Sequence, residues 1–356
     1  MPVFEIFAQD SHSRARAGIL HTPHGDIETP VFMPVGTQAT VKALTPAMLQ
    51  ALGTQVLLAN TYHLALRPGA EIIQQAGGLH RFMAWDKPIL TDSGGFQVYS
   101  LSKIRAYDAD GVTFRNHVNG SKLRLTPENV IDLQIQFGSD IMMVLDVCPP
   151  STAPDEEIDR ALALTQAWAE RSYAHWRSKF SSSLCFAIQQ GGLDVERRQT
   201  HMTALSKLDF SGYAMGGLAV GEGKEALYRM ISACTPMLPD EKPRYLMGVG
   251  EPEDLIYAIR QGVDMFDCVI PTRLGRHANV FTAQGTLNLK NARFRDDFTP
   301  IEAGCACYTC QHFTRAYLKH LYHCGEILGV MLASLHNIHF LVQLVTRERQ
   351  RILANG

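Results

Sequence analysis

The 356-residue chain has no apolar run approaching the roughly 20 residues that span a bilayer, and its first residues, MPVFEIFAQD, lack a basic segment followed by an apolar one. Neither a membrane span nor a secretory leader is expected, so the chain reads as cytoplasmic. It also lacks any large excess of charge: the formal net charge is −2, which carries no global sign of a nucleic-acid partner. Charged residues make up 19% against 46% hydrophobic, which excludes a disordered chain and implies a sizeable core. One absence is local. From Cys268 to Arg295 there is no Asp or Glu, while Arg273, Arg276, Lys290, Arg293 and Arg295 all fall in that window. Such a window is either a solvated face or a phosphate-binding stripe, and pattern alone leaves both open.

What is present is a repetition. Eight short apolar runs recur, TPVFMPVG, QVLLAN, PILTDSGG, IMMVLDVC, LCFAIQQGG, GYAMGG, RYLMGVG and MFDCVIPTR, each closing on glycine or a polar residue. Helical patterns lie between several of them, among them TPENVIDLQIQFG with Thr126 as N-cap and Pro127 in the first turn, and an acid-led segment starting PDEEIDRALAL. Doubly buried strands alternating with helices imply a parallel sheet, and eight of them fit a closed α/β (β/α)8 barrel. Two stretches break the alternation: about 98–125, which is polar and alternating and reads as an inserted hairpin, and the tail after the eighth run. In the tail, NVFTAQGTLNLKNARF reads as strands joined at Gln284-Gly285, followed by a cysteine cluster and a long apolar helix. The expected division is a barrel over 1–280, a metal-binding subdomain over 281–345, and a helix end over 346–356 that packs on the barrel.

The cluster CACYTC places Cys305, Cys307 and Cys310 in one turn-forming segment, with His312, His320, His323, His336 and His339 following. In a cytoplasmic chain this spacing favours metal over disulfide, and three thiolates closed by one histidine make a tetrahedral zinc site with no open position for chemistry. Cys324 and several histidines qualify as fourth ligand. His336 is preferred because it lies on an apolar helix, where an unpaired imidazole is costly, though His339 meets the same test. The remaining cysteines, Cys148, Cys185, Cys234, Cys268 and Cys324, read as core or pocket residues. Removing the metal is expected to unfold the tail before it touches the chemistry.

Barrel enzymes gather their catalytic groups at the C-terminal strand ends, and Asp92, Asp146, Gln190 and Asp267 occupy four such ends. Two carboxylates across a pocket suit cleavage of a glycosidic bond, one as nucleophile and the other handling protons. The glycines of AMGGLAV and IQQGG bring backbone groups to two more strand ends, where a flat heterocycle could be read along its rim. Asp146 can accept two hydrogen bonds from an aminopyrimidine edge such as that of guanine, Gln190 can donate and accept, and Phe96, Tyr245 and Met247 can sandwich the ring.

Taken together and in order, LTDSGGFQV, MVLDVC, QQGG, GGLAVGE, YLMGVG, FDCVIPTR, CACYTC and SLHNIHF resemble the queuine tRNA-ribosyltransferases, also called tRNA-guanine transglycosylases. The resemblance runs through nearly the whole chain. It implies an irregular TIM barrel with a zinc subdomain, a homodimer, and no redox cofactor. It also implies exchange of guanine at the wobble position of tRNAs with a GUN anticodon for a 7-deazaguanine. By this resemblance Asp267 is the nucleophile at ribose C1′ and Asp92 the general base toward the incoming base. Ser93, Gly94, Phe96, Asp146, Gln190, Gly216, Gly217, Leu218, Tyr245 and Met247 match substrate-binding positions. Glu222 matches an acid linked to a switchable backbone peptide, and Cys305, Cys307, Cys310 and His336 match the zinc ligands. Arg273 and Arg276 fall where tRNA phosphates would lie.

Two departures stand out. LGRHA follows PTR where bacterial relatives resemble NARNG, and Val147 stands where many carry an acid. Cys148 and Val220 resemble bacterial forms that take preQ1 (7-aminomethyl-7-deazaguanine) rather than queuine. Two rivals are a carbohydrate-directed retaining glycosidase, which leaves the base pocket and basic window unexplained, and a non-catalytic tRNA-binding accessory subunit, which would lack part of the acid set.

Overall fold

A computed structural model describes residues 2–95, 105–115 and 122–356. The chain opens with three antiparallel strands, β1 (Phe4–Gln9), β2 (Arg16–Thr22) and β3 (Gly25–Thr29). The sequence reading has no counterpart for this sheet, because its strands are short and mostly half-exposed rather than continuously apolar.

The barrel follows. Its strands are β4 (Val31–Pro34), β5 (Leu57–Asn60), β6 (Ile89–Asp92), β10 (Ile141–Met143), β11 (Leu184–Gln189), β12 (Gly212–Met215), β13 (Arg244–Leu246) and β14 (Met265–Cys268), one from each of the eight apolar runs. They pair in parallel in the order β4-β14-β13-β12-β11-β10-β6-β5. A parallel bridge between Val35 and Leu58, with the Gly36 amide donating to the Leu58 carbonyl at 2.6 Å, brings the two edges together. Nearly every barrel-strand residue is buried, since interior side chains fill the barrel while helices cover its outside; Phe32, Leu90, Met142, Phe186, Ala214, Leu246 and Phe266 belong to one continuous core.

The helices begin where the sequence places their signals. Thr126 and Asn129 form a reciprocal capping box over Pro127–Phe137, and the 24-residue helix Asp155–Ser178 carries three acids in its first turn, where the backbone dipole favours negative charge. Between β6 and that capped helix lie β7 (Arg105–Asp108), β8 (Gly111–Arg115) and β9 (Lys122–Leu125), an antiparallel sheet where the expected hairpin falls.

The N-terminal sheet covers the end of the barrel opposite the strand C-termini. Arg16 makes a bidentate pair with buried Asp264, just before β14 (2.6 and 2.9 Å). The tail carries β15 (Asn279–Thr282), β16 (Gly285–Asn288), two short helices and the helix Ile327–Asn355. By length and composition that last helix could cross a membrane, contrary to the expectation from uninterrupted runs, because Ser334, His336 and Asn337 interrupt its apolar sequence without interrupting the helix. Its apolar stretch is mostly buried, packed on the helix Ile270–Arg276 and on β15. Its last turns reach the N-terminal sheet, where Arg349 donates to the carbonyls of Gly18 and Thr29 and Arg351 pairs with Asp10.

Candidate active site

Parallel pairing puts the C-terminal ends of β6, β10, β11 and β14 on one rim, and there Asp92, Asp146, Gln190 and Asp267 line a single cavity of about 540 Å³. The four strand-end residues singled out in the sequence are thus neighbours.

Asp267 is held by one oxygen. The Tyr245 hydroxyl donates to Oδ1 at 2.6 Å and the Gly248 amide donates to the same atom at 2.8 Å, while Oδ2 has no hydrogen bond among the described residues. Burial raises the carboxyl's pKa, and these two donors partly offset the rise. Tyr245, expected to flank a ring, is itself fully buried; desolvation and the adjacent Asp267 charge hold its phenol well above its usual range, so it remains a donor.

Asp92 sits opposite in character. Burial pushes its pKa up to about 7, opposed by donors from the Thr61 amide and the Asn60 side chain and reinforced by the Asp267 charge. A carboxylate poised near neutrality can take or give a proton under physiological conditions. Asn60 ends β5 directly opposite Asp92 in the register. The reading of strand ends as site positions could have found it, since QVLLAN closes on it.

Asp146, buried, is pushed up to about 6 by desolvation; Gln190 Nε2 donates to its Oδ2 at 2.7 Å and Ser93 also bonds to it. The surrounding glycines are a packing necessity. A Cβ on Gly95 would fall 1.8 Å from Asp146 Oδ1; one on Gly216 would meet Gln190 Nε2 at 2.6 Å, and one on Gly217 would meet Gln190 Oε1 at 2.4 Å. Gln190 Oε1 is buried without a partner among the described residues. Ser93, Leu218 and Met247 line the cavity, Gly94 turns the chain at φ +85° behind it, and Phe96 lies outside the described residues. Glu222 accepts from the Val220 amide at 3.0 Å and from the Ala219 amide, pinning a peptide whose Ala219 holds φ +58°.

Arg273 lines the cavity mouth, and Arg273, Arg276, Lys290, Arg293 and Arg295 are all exposed. Val147 does not line the cavity. It is buried with Tyr62, Phe114, Leu145 and Trp168, its amide donating to Thr165 Oγ1, so the departure from the family pattern lies behind the pocket wall. Cys148 and Cys268 do line the cavity, both thiols pushed up to about 12, chiefly by burial. Cys324, against expectation, is exposed at the end of the helix Arg315–Cys324, where the last turn faces out.

Cys305, Cys307, Cys310 and His336 converge. His336 Nδ1 lies 3.4 Å from Cys307 Sγ, 3.3 Å from Cys310 Sγ and 4.0 Å from Cys305 Sγ, bracketing the roughly 3.5 Å between S and N ligands of a tetrahedral zinc. His336 Nε2 lies 2.8 Å from the Phe281 carbonyl, so that nitrogen carries the proton and Nδ1 offers its lone pair to the cluster. The donor set can hold a metal ion. Beside it, Asn337 accepts from the Phe281 amide (2.9 Å) and donates to the carbonyls of Pro271 and Asn279 (both 3.0 Å), tying the helix that carries His336 to the segment that follows Asp267. A second group, His24, His80 and Asp140, differs in kind. The two imidazoles stack with centroids 3.6 Å apart and planes 15° apart, and each faces one oxygen of Asp140.

Comparison with known proteins agrees with this geometry. The family model described as queuine tRNA-ribosyltransferase matches residues 10–356. The chain is 52% identical over 350 residues to the queuine tRNA-ribosyltransferase of Desulforudis audaxviator, covering 98% of this chain and 94% of that one. It is 52% identical over 349 residues to the protein of that name from Bacillus subtilis, covering 98% and 91%. With its counterpart in Listeria innocua it shares 51% identity over 351 residues, covering 98% and 92%.

Proposed function

The chain belongs to the queuine tRNA-ribosyltransferase family, pentosyltransferases that act on tRNA guanine, and on that premise we propose that it replaces guanine at the wobble position of GUN-anticodon tRNAs with preQ1. In this reading the exchange runs through a covalent ribosyl-enzyme intermediate. Asp267 Oδ2 attacks ribose C1′ as the glycosidic bond to guanine breaks and the bonding pair leaves with the base, which takes up from water the one proton that Asp92 later returns to the water. Tyr245 and Gly248 keep the other oxygen fixed, so little reorganisation is left for the attack. Asp92 then takes a proton from the incoming base, whose nitrogen displaces the Asp267 carboxylate from C1′. Asp146 accepts from the N1–H and 2-amino edge of the base, and Gln190 Oε1, without a partner among the described residues, supplies a further acceptor.

The observation that carries the proposal is the contrast between the two facing acids: one immobilised by a single oxygen, the other lifted to about 7. The exposed basic window, free of acids, suits the tRNA backbone beside the mouth. We assign zinc to the Cys305, Cys307, Cys310 and His336 cluster as a structural ion, which when bound crosslinks the tail. We keep the division into 1–280, 281–345 and 346–356, and place the enzyme in the cytoplasm with its tRNA.

A homodimer completes the reading. Tyr308, His312, Phe313, Tyr317 and His320 form a chain of ring contacts in which Tyr308 and Tyr317 are exposed, surface that a second copy would cover. The test is incorporation of labelled guanine into unmodified GUN tRNA with preQ1 and queuine as competitors, together with denaturing gels for RNA-linked protein. Blocking chiefly by preQ1 and an adduct lost in Asp267→Asn are expected. No incorporation, or an adduct that survives the substitution, would overturn the proposal.

A further inference from the structure

Arg198 has no role in the chemistry above, yet its guanidinium is fully buried directly behind the base pocket. It projects from the helix Val195–Leu205, and Nε donates to the Gly192 carbonyl while Nη2 donates to the Gly216 carbonyl, both at 2.8 Å. Nη1 is buried without a hydrogen-bond partner among the described residues. No carboxylate pairs with the guanidinium among the described residues, although Glu222 lies near enough to act on its charge. An unpaired buried cation is costly and calls for a reason.

The two carbonyls it holds belong to the two glycine turns between which Gln190 is pressed, and there is no space for a Cβ on Gly216 or Gly217. One turn further along the same helix, His201 Nδ1 accepts from the Gln190 amide at 3.0 Å, and burial depresses its pKa to about 4, so it remains a neutral acceptor. The helix therefore grips the backbone around Gln190 at three points, and Gln190 in turn grips Asp146.

We propose that Arg198 is a positioning residue for base recognition: by clamping the Gly192 and Gly216 carbonyls it keeps Gln190 aligned on Asp146, so the enzyme's preference for a base with a 2-amino group depends on a side chain that never touches the base. This deepens the base-exchange reading and rests on it.

The test compares Arg198→Lys, which keeps the charge but can satisfy only one carbonyl well, with Arg198→Met, which satisfies neither. Loss of one charge-assisted bond corresponds to roughly tenfold. The KM for guanine should rise about tenfold in the lysine variant and further in the methionine variant. The preference for guanine over hypoxanthine, which lacks the 2-amino group, should shrink in step, with KM for tRNA and melting temperature nearly unchanged. Unchanged guanine KM and preference would overturn the proposal, as would parallel loss of kcat and melting temperature with the preference intact. If the methionine variant does not fold, the lysine variant decides alone. Failure of wild type to incorporate guanine would instead count against base exchange, and calorimetric binding of guanine and hypoxanthine to the two proteins would still decide the role of Arg198.

Discussion

Replacing Asp92 by asparagine should let guanine leave but slow completion of the exchange, by about 10²–10⁴-fold, and at the same time stabilise the protein in a way that depends on pH. The wild-type carboxyl, ordinary at 3.8 in the unfolded chain, is raised to about 7 when folded. Between those values the folded state keeps a proton that the unfolded state has released, so wild-type stability falls as pH rises through the window and is flat above it. Three units at about 1.4 kcal/mol each set an upper bound of roughly 4 kcal/mol, and because the group faces the cavity and its water about half of that is the working expectation. Nearly two thirds of the effect accrues between pH 5 and 8.5 by the same linkage. Asparagine has no proton to lose, so the stability difference between variant and wild type should grow across that range. Urea unfolding at pH 5, 6, 7 and 8.5 measures it. A difference that stays constant with pH would refute the desolvated carboxyl and, with it, the case for Asp92 as a base working near neutrality. In wild type the same ionisation predicts an exchange rate that climbs with pH and levels off above about 7.

Gly95→Ala should cost nearly all activity while leaving the fold largely intact, because its Cβ would displace Asp146 Oδ1 from 1.8 Å away; guanine binding retained at wild-type strength would count against it. Changing Arg273 and Arg276 together to alanine should weaken tRNA binding and flatten its dependence on salt by about 0.7–0.9 in log–log slope for each lost phosphate contact. An unaltered slope would remove both residues from the RNA interface. Freshly purified protein should hold about one zinc per chain. Chelation should loosen protease protection around 270–282 as well as in the tail, since Asn337, adjacent to His336, holds the Pro271 and Asn279 carbonyls and the Phe281 amide. Cleavage that reaches residues beyond 300 well before 270–282 would instead fit the expectation that metal removal unfolds the tail before it touches the chemistry.

Much was legible in the chain itself. Each of the eight apolar runs is a barrel strand, because a strand buried on both faces must be continuously apolar and its polar end marks the rim. Asp92, Asp146, Gln190 and Asp267 could be paired with one another for the same reason, and the cysteine spacing pointed to a group that can hold a metal ion. The N-terminal sheet was not legible, since half-exposed strands such as Phe4–Gln9 carry no such signature.

Other features depend on contacts between residues far apart in sequence, which no local pattern encodes. That Tyr245 anchors Asp267, that Val147 turns into a core behind the wall, and that Asn60 holds Asp92 follow from the pairing of strands into a barrel. Arg198 gave no local sign, standing among other polar residues of its helix until the fold brought two glycine turns to it. Residue types and their spacing determined which strands could form and which groups could do the chemistry. Burial, which sets the pKa of Asp92 and the need for glycine at position 95, exists only once the barrel has closed around them.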